Sequence, residues 1–284
     1  MDDSRASVDE STVQRAWSSG AFDGDTDRAL TALESSMTVS LIATFDLLTC
    51  EFGDRLENVR ARVDLQPFDH VPVREDGCIV GILNQREIPA DAVLVRDAMT
   101  RLHESILISA DASLLTFLEG ADRHPCRLVL RGTRVEGIVT LSDIQKLAVR
   151  PVLFASVTQV ELLLAHWIRV HATEAEWIAK LSEKRRDDVE DKWTKYNRAD
   201  LAIDRLACTE FCDKRCIALK LGAFASRGAA ERNLKLIEQV RNSVAHAGDY
   251  ALTADTAREV ARMVRAARSV IQELRKGVGV AQPA

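Results

Sequence analysis

Aromatic residues are scarce in this 284-residue chain, at 5%, and proline occurs only six times. A core here must be built from aliphatic side chains, and a proline-rich spacer or collagen-like repeat is excluded. No uninterrupted apolar run reaches about 18 residues, so no membrane-spanning helix is expected. Met1-Asp2-Asp3-Ser4 lacks the basic and apolar regions of a secretory leader, which points to a cytoplasmic protein. The six cysteines do not form the dense framework of a small disulfide scaffold. Cys208, Cys212 and Cys216 recur every four residues, a spacing that places them on one face of a helix. No fourth ligand stands at a matching distance, so small buried thiols are preferred to a metal site, and neither a metal nor a catalytic cofactor is expected.

Apolar residues make up 46% of the chain, enough for a buried core, and the length accommodates two domains. Charge is uneven. Residues 1–35 carry eight acids and three bases, 36–154 carry seventeen and thirteen, and 155–284 carry eighteen and twenty-two. The acidic balance belongs to the front, and the back can still meet a polyanion. The first 35 residues have little apolar periodicity and read as a flexible acidic tail with a short helix near Thr12–Trp17.

From Met37 to about residue 152, short apolar runs alternate with helix-like stretches. Val71-Pro72-Val73 and Cys78–Leu83 read as strands joined by the turn Arg74-Glu75-Asp76-Gly77. Helices are expected at Arg55–Leu65 and from Arg86 onward. The pattern recurs as a strand at Ser105–Ser109, a helix at Ser113–Asp122, strands at Arg127–Leu130 and Val135–Leu141, and a helix at Ser142–Val149. Gly81-Ile82-Leu83-Asn84 aligns with Gly137-Ile138-Val139-Thr140, and Glu87 with Asp143, an internal repeat of a small α/β unit.

Three strings carry a resemblance: His70-Val71-Pro72-Val73 with Val80-Gly81-Ile82-Leu83, Arg96-Asp97-Ala98-Met99-Thr100, and Gly137-Ile138-Val139-Thr140-Leu141-Ser142-Asp143. The region resembles a CBS-domain pair (Bateman module). The resemblance implies an adenosine-containing ligand, AMP, ADP, ATP or S-adenosylmethionine, held by Thr140, Ser142 and Asp143. Thr140 would meet phosphate and Asp143 the ribose hydroxyls. A strand running into a helix offers free N–H groups to an anion, and a carboxylate can accept from a vicinal diol. Ser142 or Asp143 acting simply as a helix cap explains the same residues. The first copy has Asn84 and Glu87 instead, so one ligand site is expected rather than two.

From Pro151 the pattern is helical, giving an α+β chain overall. Five helices are expected at Val157–His171, Glu174–Tyr196, Asp200–Leu221, Ala229–Ala245 and Thr253–Gly277, with Gly248 a stop and 278–284 a flexible end. The fourth carries Arg241-Asn242-Ser243-Val244-Ala245-His246. Asn242 and His246 are four apart and share a helix face. A guanidinium can hold a phosphate and an imidazole can move a proton near neutral pH. On spacing alone, a salt-bridged arginine and a packed or exposed histidine on an ordinary helix is the preferred account, and the context supplies the case for catalysis.

The Arg-Asn-x-x-x-His string in an all-α setting resembles a HEPN domain. That resemblance implies a metal-independent endoribonuclease, an effector of stress or phage defence, working as a homodimer whose two motifs form one site. His246 would act as general base or acid toward the ribose 2′-hydroxyl, Arg241 would hold the phosphate and Asn242 would position either. Arg258, Arg262 and Arg265 form a stripe that can track RNA phosphates, or an ordinary solvated face, since Asp255 and Glu259 interrupt it. Glu161 and His166 are polar in an apolar run, with a satisfied core role or support of Arg241 and His246 as the alternatives. The competing reading is a non-catalytic regulatory protein that dimerises or binds a partner through its helices.

Overall fold

The computed structural model of the protein describes residues 24–199, 203–245 and 250–279. Two compact units divide them. One, the α/β unit, comprises 34–152 and 250–262; the other is helical and comprises 24–33, 153–245 and 263–279. The fold class is α+β, as expected.

Helix α1 (Gly24–Ser36) opens the described chain, where a flexible tail is expected. Leu30 and Leu33, three apart, form its partly buried side. The short helix expected at Thr12–Trp17 lies outside the described residues.

In the α/β unit the first copy runs β1 (Cys50–Glu51), α2 (Leu56–Ala61), β2 (His70–Glu75) and β3 (Cys78–Asn84), and α3 (Val95–Ala98) and β4 (Thr100–Arg101) open the second. The second then runs β5 (Leu107–Ser109), α4 (Leu114–Gly120), β6 (Cys126–Arg131) and β7 (Arg134–Thr140). The sheets are ordered β1-β2-β3-β4 and β5-β6-β7. The hairpins repeat residue for residue. β2 pairs antiparallel with β3 from His70↔Asn84 to Glu75↔Cys78, and β6 with β7 from Cys126↔Thr140 to Arg131↔Arg134. Every second-hairpin pair lies 56 residues after its counterpart, including the register slip after Val73 and again after Val129. Only the tips differ. Asp76 and Gly77 both take positive φ, at 50° and 78°, whereas Gly132 alone does so in the second tip, at 61°. Both are two-residue solutions that match the strand twist.

The copies exchange their opening segments. Thr100, at the start of the second copy, pairs with Ile82 of β3. Thr44, at the start of the first, bridges Ile138 of β7. Likewise Leu94 bridges Arg55, while Thr38 bridges Ser113. This exchange explains the aligned glycines. A Cβ at Gly81 would lie 2.2 Å from the Thr100 carbonyl oxygen, and one at Gly137 3.1 Å from that of Thr44. Cys50, Leu56, Val59, Leu65, Val71, Val73, Leu83 and Val95 form the first copy's core, and Ile82 packs with Cys126 and Leu128 of the second.

Two expected helices are much shorter than the sequence suggests. From Arg86 the chain makes turns until the four-residue α3, because the Asn84 side chain and carbonyl take the Arg86 and Glu87 N–H groups and Pro89 has none to give. In place of a helix at Ser142–Val149 stands a 3₁₀ turn, Leu141–Gln145, ended by Lys146 in extended geometry.

The helices that follow are α5 (Val149–His171), α6 (Glu174–Ile178), α7 (Glu183–Arg198), α8 (Phe211–Leu221), α9 (Arg227–Ala245) and α10 (Ala254–Val278). Helix α5 admits Pro151 because the first turn needs no intrahelical N–H there. By length and composition α5 could cross a bilayer, contrary to the expectation of no such span, but 67% of its most apolar window is buried inside the protein. The helix expected at Glu174–Tyr196 is split before Ser182, whose hydroxyl caps α7 by accepting from the Arg185 N–H at 3.4 Å. The one expected at Asp200–Leu221 is also split. Asp204 caps a 3₁₀ turn, Arg205–Cys208, by accepting from the Ala207 N–H at 2.8 Å, and α8 starts afresh at Phe211. Cys208 therefore does not share a helical stripe with Cys212 and Cys216. Among the described residues no group of histidines, cysteines and carboxylates is arranged to hold a metal.

Candidate functional site

Two stretches carry the candidate chemistry, one in each unit. The first is the end of β7. Thr140 donates its N–H to Asp143 Oδ2 at 2.6 Å and its hydroxyl to the same oxygen at 3.0 Å. Lys146 Nζ lies 2.7 Å from Asp143 Oδ1 and donates to the Ile42 carbonyl. Asp143 is buried and Ser142 exposed. Thr140 and Asp143 thus meet in a cap, the alternative role for these residues, and Lys146 extends it. Thr140 takes both lone pairs of Oδ2, and Oδ1 keeps one beside Lys146. Cys126 pairs with Thr140 across the hairpin, and burial, with Asp143 adding to it, raises its thiol to about 12. It is therefore a packing thiol rather than a nucleophile.

On the other side of this turn the Tyr250 hydroxyl donates to the Ile144 carbonyl at 2.6 Å. The Arg150 guanidinium stands 5.1 Å from the tyrosine ring centre, and burial pushes the phenol up to about 12. Nothing in the sequence signals this contact across 106 residues. Lys146 was legible in principle, three residues beyond Asp143 on the same turn.

The second stretch is the end of α9. Leu234, Ile237, Val240 and Val244 are buried at helical spacing, which turns Asn242 and Ser243 to solvent and leaves Arg241 at the boundary, with 35% of its side chain exposed. Arg241 Nη2 lies 3.8 Å from Glu161 Oε2. Glu161 is held in turn by Lys214, whose Nζ donates to Glu161 Oε1 at 3.0 Å and to the Thr209 carbonyl at 2.7 Å. Lys214 is only 6% exposed at its side chain, so it is a fixed internal cation and Glu161 bridges two positive groups. The sequence named Glu161 but gave no sign of Lys214, which sits among charged neighbours on α8. His166 is held below its ordinary value first by burial, then by Arg169 and His171. His246 and Gly248 lie outside the described residues.

The arginine stripe on α10 is interleaved with acids. Arg258 pairs with Asp255 at 3.0 Å and Arg262 approaches Glu259 at 3.7 Å, while Arg265 is half-buried. Most of that positive charge is met locally.

No family model and no curated protein matches the chain. Solved structures similar to part of it include CBS-domain proteins. The CBS domain of a bacterial CNNM/CorC family Mg2+ transporter in complex with ATP shares 17% identity, over 45% of this chain and 94% of that one, with a TM-score of 0.35. A conserved CBS-domain protein of unknown function from Thermoplasma acidophilum shares 20%, over 42% and 75%, with a TM-score of 0.33. A CBS domain pair in complex with 5′-methylthioadenosine and S-adenosyl-L-methionine shares 21%, over 38% and 95%, with a TM-score of 0.34.

Proposed function

We propose that the protein is a ligand-responsive regulator whose tandem α/β repeat takes an adenosine-containing molecule at Thr140, Ser142 and Asp143, and whose helical unit is the effector. The observation that supports this reading is the end of β7. Its backbone copies the end of β3 pair for pair, yet only the second copy presents the threonine, the aspartate and a lysine together. A ribose hydroxyl would donate to the lone pair left on Asp143 Oδ1, and a phosphate would meet Lys146. AMP, ADP, ATP and S-adenosylmethionine are the ligands to titrate by calorimetry. Binding of at least one, lost in Asp143→Ala, is the expected outcome; no heat from any of the four ends the reading.

A second reading concerns the effector and rests on the Arg241–Glu161–Lys214 relay, which holds a guanidinium at the surface without neutralising it by close contact. In this reading α9 is half of a ribonuclease site. His246 takes the proton from a ribose 2′-hydroxyl and the 2′-oxygen attacks phosphorus. The 5′-oxygen departs with the proton that the His246 imidazolium gives back, leaving a 2′,3′-cyclic phosphate and a 5′-hydroxyl. Arg241 would stabilise the charged transition state, Asn242 would orient the phosphate, and a second copy would complete the site as a homodimer. Labelled RNA incubated in EDTA should be cut by the wild type and spared by His246→Ala. RNA left whole by the wild type, with and without the ligand, would favour a non-catalytic helical unit that binds a partner.

A further inference from the structure

The second repeat contains an arginine where the first has a core side chain. Arg127 on β6 lies 56 residues after Val71 on β2, at the same place in the ladder. Val71 is 1% exposed and belongs to the first copy's core. Arg127 is only partly buried, but its Nε is sealed from solvent and has no hydrogen-bond partner. Among the described residues no carboxylate pairs with it. Its charged neighbour is another cation, Arg123, and burial together with Arg123 makes its charge harder to keep. Room for the guanidinium is built into α4. Gly120 is a buried glycine, and a Cβ there would lie 2.6 Å from Arg127 Nη2. The turn after α4, with the Arg123 and His124 N–H groups both directed to the Gly120 carbonyl, carries the exposed Arg123 beside it.

A half-desolvated guanidinium without an acid, next to a second guanidinium, is an arrangement that an oxyanion completes, because a planar guanidinium can donate two charge-assisted hydrogen bonds to a tetrahedral anion. We infer that Arg127 and Arg123 form a phosphoryl-binding site at the end of α4. On β6 Arg127 points to the α4 side, opposite the Cys126 and Leu128 side chains that pack with Ile82 of the first copy, so this site is separate from the Thr140–Asp143 turn. It does not depend on the adenosine-ligand reading. Two sources share the chemistry: free inorganic phosphate and the terminal phosphate of a nucleotide.

The test is thermal unfolding of the full chain in sodium phosphate against sodium chloride at matched ionic strength, with adenosine and ATP as further arms. Phosphate stabilises many proteins by exclusion from their surface, so the quantity read is the difference between wild type and variant. Wild type should gain a saturable rise in Tm with phosphate. Arg127→Val, which installs the first copy's residue, should lose that rise. Arg123→Gln, an exposed change that leaves the core alone, should weaken apparent phosphate affinity about tenfold and carries the test if Arg127→Val fails to fold. A rise from phosphate alone assigns the site to free phosphate. An ATP response that adenosine does not reproduce and that Arg123→Gln weakens assigns it to a nucleotide. Phosphate and ATP effects that are equal in wild type and Arg123→Gln, or no effect of either beyond chloride and adenosine, overturn the proposal.

Discussion

The two repeats of the α/β unit have one backbone plan and two chemistries. Their hairpins agree in every pair and slip at the same step. Their strand ends do not agree. After β3, Gln85 donates to the carbonyls of Leu65 and Phe68, and Arg86 reaches Asp69 at 2.6 Å, so the side chains of that turn tie it back to its own loop. After β7, Asp143 gathers Thr140 and Lys146, and Tyr250 takes the Ile144 carbonyl. Backbone register is set by hairpin pairing and alternation, which tolerate almost any side chain at the strand ends. Divergence therefore concentrates where the strands stop, and that is where ligand chemistry can arise without cost to the sheet.

The sharpest way to test the common plan is at the matched glycines. Gly81→Ala puts a methyl into the Thr100 carbonyl at 2.2 Å, a clash with backbone that must move β4. It should cost about 3 kcal/mol in urea unfolding. Gly137→Ala meets Phe45 and the Thr44 carbonyl at 3.0–3.1 Å and should cost about 1 kcal/mol. Equal costs would mean that the exchanged segments do not seat as the structure has them. The divergent ends come next. Asp143→Ala should lose about 1–2 kcal/mol with its cap, whereas Glu87→Ala, at the matching exposed position, should stay within about 0.5 kcal/mol. A comparable loss at Glu87 would erase the distinction.

Tyr250 gives a smaller, pH-dependent contrast. Its hydroxyl serves the second copy's turn, and Tyr250→Phe should cost about 1 kcal/mol at neutral pH. Burial raises the phenol from 10 to about 12. A folded pKa above the unfolded one gives stability that is complete below pH 10 and is lost as pH climbs through 12. An alkaline denaturation series should show that loss in the wild type and a diminished one in Tyr250→Phe. An unchanged alkaline limb would remove Tyr250 as its source.

Much of this plan was legible in the chain. The duplicated Gly-Ile-x-x strings gave the repeat and both hairpins, and the apolar spacing of 234, 237, 240 and 244 gave the face of α9. Less legible was how little helix follows each hairpin, because Asn84 and Asp143 compete locally for backbone N–H groups and a periodic pattern cannot register that competition. The same blindness merged α6 with α7 and carried one helix through Cys208. Of the candidate sites, Thr140 with Asp143 and Arg241 with Glu161 could be named from sequence. Lys214, Tyr250 and the guanidinium pocket at Gly120 could not, since each depends on which distant residue the fold delivers.

The exchanged opening segments also impose an order on the chain as it is made. Thr44 leaves the ribosome long before its partner Ile138, and the first copy lacks its fourth strand until Thr100 has been made. A nascent chain stopped between the copies holds one edge segment without a sheet and one sheet without an edge. Neither copy can then be a cotranslational folding unit by itself, and the exposed edge of β3 persists for the synthesis of about one more connecting segment. Domain dissection at the midpoint of the repeat should accordingly yield two insoluble halves rather than two small domains.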